Sequence, residues 1–269
     1  MPASPRAGGD GSKPREVISY RAVYVIVLRE FKRFFRQRGR LVTTLARPLI
    51  WLFIVGAGFT KIVESSTSVD YMQFIMPGVV GMTILFSSIF STISVVWDRE
   101  FGFLREMLVA PVSRVTIVVG KLVSGTALSL FQGTALLLIA PVLGLEVGLR
   151  EAAAMVLFIT LLSLAVTAFG LFVASHLTSL EGFNVIMNFI VLPMFFLSGA
   201  LYPVTTLPLF LRPLVYMNPL SYGIDSFKHV LLPPGGVLGP ELPLWADTAF
   251  VSVFAVVMIA LAAHAFEKR

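Results

Sequence analysis

Apolar residues follow one another along this chain in long unbroken stretches. Six of them, at 41–62, 72–96, 115–145, 152–175, 183–202 and 247–266, reach the roughly twenty residues that a helix needs to cross a bilayer. Within lipid, backbone N–H and C=O groups must be paired by a helix or a closed barrel, and the chain has no ten-residue alternation of the barrel kind. The pattern predicts an all-α, polytopic membrane protein with six transmembrane helices. Pro77, Pro141 and Pro193 are expected to bend or begin their helices. Gly78, Gly81, Gly120, Ser124 and Thr126 offer small surfaces for close helix packing.

Two further patterns flank the spans. Residues 20–40 place Val23, Ile26, Val27, Phe31, Phe34 and Phe35 at roughly helical spacing among Arg29, Glu30, Lys32, Arg33 and Arg36. Such a segment predicts an amphipathic N-terminal interfacial helix lying on the membrane, basic residues toward phosphates and cytosol. Anchoring and partner binding are both open to it. Before it, residues 1–19 form a Gly-, Ser- and Pro-rich tail with too little apolar surface to order, expected to be disordered and cytoplasmic. Before the last span, residues 203–246 carry half of the sixteen prolines and two apolar stretches, 207–217 and 220–232, each too short to cross. A re-entrant or external helical hairpin is predicted there. Asp225 and Lys228, three apart, can pair on one face of it. Residues 41–269 thus form a single six-helix membrane domain.

Composition agrees with the pattern: 57% apolar residues, 13% charged residues and a mean hydropathy of +0.87 exceed what a soluble core of 269 residues can hide. The absence of cysteine removes disulfides, thiolate metal sites and cysteine nucleophiles together. A net charge of +6 raises nucleic acid as a partner, but most Lys and Arg sit beside membrane segments, where anionic lipid accounts for them, so no nucleic-acid partner is assigned. Of the 21 Lys and Arg, those on the side away from the tail are Lys61, Arg150, Arg212 and Lys228. Positive charge is retained in the cytoplasm, so both termini are expected there, on a multi-pass protein of the cell membrane. The first forty residues lack the form of a secretory signal, and the first apolar helix is expected to stay as an anchor.

Between the second and third stretches lies a charged island, WDREFGFLREMLVAPVSRVTIVVGK at 97–121. Asp98, Arg99, Glu100, Arg105 and Glu106 present charge of both signs, while Phe101, Phe103, Leu104, Met107 and Leu108 supply an apolar face. Gly102 keeps the turn slim, and Pro111 ends any helix at Ala110. Two readings stand: a surface that docks a partner, or a solvated connector whose charges pair among themselves. Composition alone slightly favours the connector.

Resemblance shifts that balance. Asp98, Arg99, Glu100, Gly102, Leu104, Glu106, Pro111, Gly120 and Lys121 resemble the cytoplasmic loop motif of type-2 ATP-binding-cassette (ABC-2 type) exporter permeases, with Asp98 in the place of its first acidic residue. The likeness runs from about residue 20 to the C-terminus, includes LSGALYP at 197–203, and is nearest to the drug-resistance and lipo-oligosaccharide exporter branches. It implies a permease subunit that moves an amphipathic or hydrophobic substrate outward: a drug, a lipid or a lipid-linked glycan. It implies that a coupling loop at 98–114 packs on a separate ABC ATPase subunit, flanked by the interfacial helix. A second permease chain, identical or paralogous, would complete the path in a prokaryotic inner or cytoplasmic membrane. Glu100, Arg105 and Glu106 are then the expected polar contacts, with Phe101 and Leu104 packing. The chain's Gly120–Lys121 pair has Val115 where a P-loop needs its first Gly. ATP and Mg²⁺ are therefore expected in the partner, with no cofactor and no catalytic residue in this chain.

Polar groups inside the spans are few. Arg47 lies near a span end, where it can snorkel to phosphate level. Gln132, Asn184 and Asn188 are candidates for the translocation path, with helix packing their commoner use. An ion-coupled secondary transporter would be expected to carry carboxylates or histidines deep in its spans, and no acidic residue lies in the middle of any stretch. An intramembrane enzyme would need a nucleophile and base or a metal cluster, and His176, His229 and His264 show no metal-ligand spacing, so no metal site is assigned. A non-transporting membrane assembly protein is the other alternative that composition leaves open.

Overall fold

The computed structural model describes residues 19–64, 71–102, 113–232 and 239–267. Among the described residues the chain is helical throughout, with short turns. Helix α1 (Tyr20–Arg36) starts at Ser19, whose hydroxyl accepts the Ala22 N–H, and ends with Arg33 and Arg36 at the negative pole of its dipole. Its buried residues Ile26, Glu30 and Phe34 recur every four positions, so one stripe faces inward. Helix α2 (Arg38–Glu64) follows, and then α3 (Tyr71–Glu100), whose 30 residues span about 45 Å at 1.5 Å per residue. That exceeds the hydrocarbon core, so turns of α3 project beyond it.

Helix α4 (Arg114–Leu137) begins at the N-cap Ser113, whose hydroxyl accepts the Thr116 N–H. The predicted stretch 115–145 is not one helix. Pro141 cannot donate to the preceding turn, so α4 gives way to a 3₁₀ turn, Ala140–Leu143, which closes on Gly144 at φ +78°. Helix α5 (Leu149–His176) follows, and then α6 (Leu180–Phe196), with Pro193 in its last turn. The stretch predicted to reach 202 ends as helix at Phe196, since Gly199 turns through φ +73° and Pro203 follows. A 3₁₀ turn (Val204–Thr206), short α7 (Arg212–Tyr216) and α8 (Pro219–Leu231) then lead to α9 (Leu244–Glu267).

Four segments, α3, α4 with its 3₁₀ turn, α5 and α9, are long and apolar enough to cross a membrane. The other two predicted spans contain shorter apolar helices, Ala46–Gly58 within α2 and Leu180–Phe196. The chain is therefore an all-α, multi-span membrane protein. Helix α3 is its axis, touching α2, α4, α5, α6 and α8, and Phe74, Ile84 and Ile89 are among its fully enclosed residues. Outward faces stay apolar: Phe189 on α6 and Val253 and Val256 on α9 are exposed, as suits lipid rather than water.

Glycine sets two close approaches. A Cβ on Gly81 would fall 2.5 Å from Ile224 Cγ1, and one on Gly120 2.9 Å from Ile26 Cδ1, so α8 lies against the α3 backbone and α1 against that of α4. Helix α8 is buried over most of its length against α3, α5 and α9. The preceding stretch 207–217 instead leaves Leu209 and Phe210 exposed. The helices alternate in direction, giving the molecule two ends. At one end, the end of α3 meets α1 and the end of α5, and the start of α4 meets the end of α9. At the other, Tyr71 Oη donates to Leu201 O at 2.9 Å beside the start of α3.

Candidate functional site

Three helices bring charge to one buried point. From α4, Lys121 Nζ donates to Glu30 Oε1 of α1 at 2.8 Å, to Asp98 Oδ2 of α3 at 2.7 Å and to Ser94 Oγ at 2.9 Å. Arg29 closes the cluster from the rim, donating to Asp98 Oδ2 at 2.9 Å and Glu30 Oε1 at 3.1 Å. The side chains of Lys121, Asp98 and Glu30 are 3%, 6% and 9% exposed, so desolvation is heavy and is offset only by this mutual pairing. Two carboxylates meet two cations. Burial, the largest influence on Glu30, would raise its pKa, but Lys121 and Arg29 outweigh it and hold the carboxyl below its ordinary range. Burial likewise would lower the pKa of Arg29, and Asp98 and Glu30 outweigh it and raise it.

This placement corrects the sequence-based assignment of Asp98 to a loop. Asp98 is not at the exposed start of a loop, because α3 continues as helix through Glu100 and turns at Phe101 and Gly102, the latter at φ +81°. Glu30, within the helix expected at the interface, lies on its inner stripe. Lys32 and Arg36 remain exposed, and Arg33 stacks its guanidinium over the Trp97 ring at 5.5 Å. Gly120 admits α1, and the adjacent Lys121 supplies the counter-ion.

The next residues of the island also reach inward. Arg99 Nη1 donates to Ser175 O at 3.0 Å and to Leu177 O at 2.6 Å, covering carbonyls at the C-terminus of α5. Glu100 Oε2 accepts the Leu180 N–H at 3.0 Å, placing a carboxylate at the positive pole of α6. Phe101 is exposed and rests on Trp97 at 5.1 Å between ring centres. Leu104, Arg105, Glu106 and Pro111 lie outside the described residues. Where the chain resumes, Arg114 Nη1 donates to Phe266 O at 3.2 Å and Glu267 O at 2.9 Å, the end of α9. Segment 103–112 thus leaves from a turn tied to α5 and α6 and returns to one tied to α9. The ion cluster that holds α1 lies between.

A cavity of about 440 Å³ opens beside the cluster, among α1, α2, α3 and α4. Thr83, Ser87, Ser91 and Ser94 form a hydroxyl stripe along its α3 wall, facing Arg33 and Arg47. Phe86 and Phe90 add an aromatic wall, with the Arg47 guanidinium 5.8 Å from the Phe86 ring centre. Gln132 lines the cavity too, donating to Ser87 Oγ at 2.6 Å. Asn184 and Asn188 are elsewhere, exposed on α6. At the opposite end, the predicted pair of Asp225 and Lys228 stands at 4.0 Å, and Asp225 mainly accepts the Glu241 N–H at 2.9 Å and the Leu242 N–H at 2.8 Å.

Comparison with known proteins places these features in a family. The model of the ABC-2 type transporter family matches residues 21–232, from α1 to the end of α8. The putative transport permease ycf38 of Cyanophora paradoxa is 30% identical over 212 residues, 77% of this chain and 73% of that protein. The inner membrane transport permease YadH of Escherichia coli K12 is 28% identical over 250 residues, 90% of this chain and 91% of that one. Nodulation protein J of Rhizobium leguminosarum bv. viciae is 28% identical over 194 residues, 71% and 74% of the two chains.

Proposed function

The chain belongs to the ABC-2 type transporter family as a non-catalytic membrane permease, and from that premise we propose that it is the membrane-spanning subunit of an ATP-driven exporter. A separate ABC ATPase subunit docks on segment 98–114 and hydrolyses ATP with its Mg²⁺. Two permease chains, identical or paralogous, enclose the path, and each crosses the membrane six times with both termini in the cytoplasm. The end bearing Arg29, Lys32, Arg33, Arg36, Arg99, Arg114 and Lys121 is then cytoplasmic, as the retention of positive charge requires.

The observation that carries this reading is the tethering of the helix ends on either side of residues 103–112. Arg99 and Glu100 bind the α5–α6 turn, Arg114 binds the end of α9, and Lys121 binds α1 to α3 and α4. A push on the segment by a closing ATPase reaches α1, α5, α6 and α9 through α3 and α4. Glu106, Arg105 and Leu104 make the contacts to the ATPase, while Asp98, Arg99 and Glu100 transmit rather than touch. The hydroxyl-and-aromatic cavity with its two arginines suits an amphipathic cargo with a polar or anionic head. A drug, lipid or lipid-linked glycan fits that description, in keeping with the resemblance to the drug-resistance and lipo-oligosaccharide branches. Gln132 is its path residue here.

The test is capture of the tagged protein from its own host in mild detergent after cross-linking, with mass spectrometry of the bound chains. A P-loop ATPase recovered with the native chain and lost with Glu106→Arg, at unchanged membrane yield, is the expected result. Failure to recover any ATPase with the native chain overturns the proposal.

A further inference from the structure

At the end of the molecule opposite the ion cluster, the chain brings together groups that the transport reading does not use. Asp225 and His229 stand one turn apart on α8, and Asp247 lies in the first turn of α9. One ligating atom from each lies within 4.8 Å of the other two, and His229 Nε2 is 3.7 Å from Asp247 Oδ2. Asp247 is fully buried, yet neither of its carboxylate oxygens has a hydrogen-bond partner among the described residues. An ionised carboxylate in that position costs several kcal/mol unless something pairs with it.

The surroundings do not supply that pairing. Asp225, Glu241 and Asp247 bring three carboxylates, and Lys228 brings one ammonium, 4.0 Å from both Asp225 and Glu241. Three carboxyl groups thus face one ammonium. Asp225 spends lone pairs on the Glu241 and Leu242 N–H groups and keeps others free, as a ligating carboxylate held by outer hydrogen bonds does. His229 Nε2 donates to the Leu242 carbonyl at 2.7 Å, a hydrogen bond that the ring exchanges for the ion when it ligates.

We propose that Asp225, His229 and Asp247 form a binding site for one divalent transition-metal ion, zinc foremost, that ties α8 to the first turn of α9. The donor set decides the metal class: an imidazole nitrogen with two carboxylates suits zinc and its neighbours, whereas calcium and magnesium favour all-oxygen shells. Tetrahedral ligands about 2.1 Å from zinc stand about 3.4 Å apart. The His229–Asp247 separation of 3.7 Å is already near that value, and a ligating oxygen of Asp225 lies within 4.8 Å of both. His229, whose side chain is 24% exposed, gives the ion its way in.

The experiment uses the full-length chain with a tag free of histidine, stripped of metal by chelation and purified in detergent. Zinc alone is titrated by calorimetry, and cobalt alone is followed by its visible ligand-field absorption. One equivalent of zinc per chain, a rise in melting temperature with zinc, and a tetrahedral cobalt spectrum are expected. Asp247→Asn and His229→Gln each weaken zinc beyond the roughly 10–100-fold that loss of an outer partner costs, while His264→Gln leaves affinity unchanged. If Asp247→Asn fails to fold, the partly exposed His229→Gln carries the comparison. No stoichiometric zinc uptake by the native chain, or native affinity in His229→Gln, overturns the site.

Discussion

Replacing Lys121 with Met keeps the length and packing of the side chain while removing the charge that three helices share. Glu30 and Asp98, both under a tenth exposed, would then depend on Arg29, whose side chain is 41% exposed and reaches each of them once. Breaking one partner out of a buried pair typically costs about 3–5 kcal/mol. Scaled to a chain of this length, that lowers the melting temperature by roughly 6 to 20 °C. Intrinsic fluorescence in detergent reads this directly, since Trp97 lies against Arg33 and Phe101 beside the cluster. The pH dependence supplies the sharper test. In the native protein the Glu30 pKa is held below its ordinary 4.5, so its contribution is complete above that value and is lost as pH falls through the depressed pKa. In Lys121→Met, burial acts on Glu30 without its main counter-charge and raises its pKa. The deficit is then largest at pH 7 and shrinks as pH falls toward about 5, opposite in sign to the native trend. A loss under about 1 kcal/mol at pH 7, or a pH trace parallel to the native one, would refute the reasoning.

Other substitutions probe the neighbouring joints. Arg99→Ala removes two charge-assisted hydrogen bonds to Ser175 and Leu177, each worth about 1.5–3 kcal/mol, so amide exchange at 177–182 should accelerate while the spans stay protected. Unchanged exchange there would show that Arg99 does not hold the turn. Gly81→Val drives a branched side chain into Ile224, with a cost of about 1–3 kcal/mol and easier proteolysis at 239–243, whereas Gly39→Val, with nothing within 4 Å of its Cβ, should melt like the native protein.

Hydropathy made the long helices legible, because a bilayer demands continuous apolar length and little else competes with that signal. The shorter apolar helices were harder to delimit. In α2 the apolar segment is confined to 46–58, with Arg38, Arg40 and Pro48 in the same helix. Between residues 203 and 246, two short apolar stretches looked alike in sequence, yet 220–231 became a buried helix and 207–217 an exposed turn with a five-residue helix. The difference follows from Gly81 and Gly223, which let α8 sit against α3 and α5, a pairing no local window contains. The charged island was found by pattern, but its inner half was assigned outward. Lys121 and Glu30 are 91 positions apart, and nothing in spacing joins them. The same holds for Asp247, which read as the innocuous first residue of an apolar run until α8 placed His229 beside it.

The ion cluster also bears on how the chain is made. Synthesis proceeds from the N-terminus, so Glu30 and Asp98 leave the ribosome well before Lys121. Until α4 emerges, burying either carboxylate costs several kcal/mol with only a rim arginine in compensation. The last turn of α3 must therefore wait at the aqueous surface while the rest of that helix enters lipid. Once Lys121 arrives, one event neutralises both acids and seats α1, α3 and α4 together. A nascent chain arrested before residue 121 carries two acids that it cannot bury, a mark by which unfinished protein differs from finished protein.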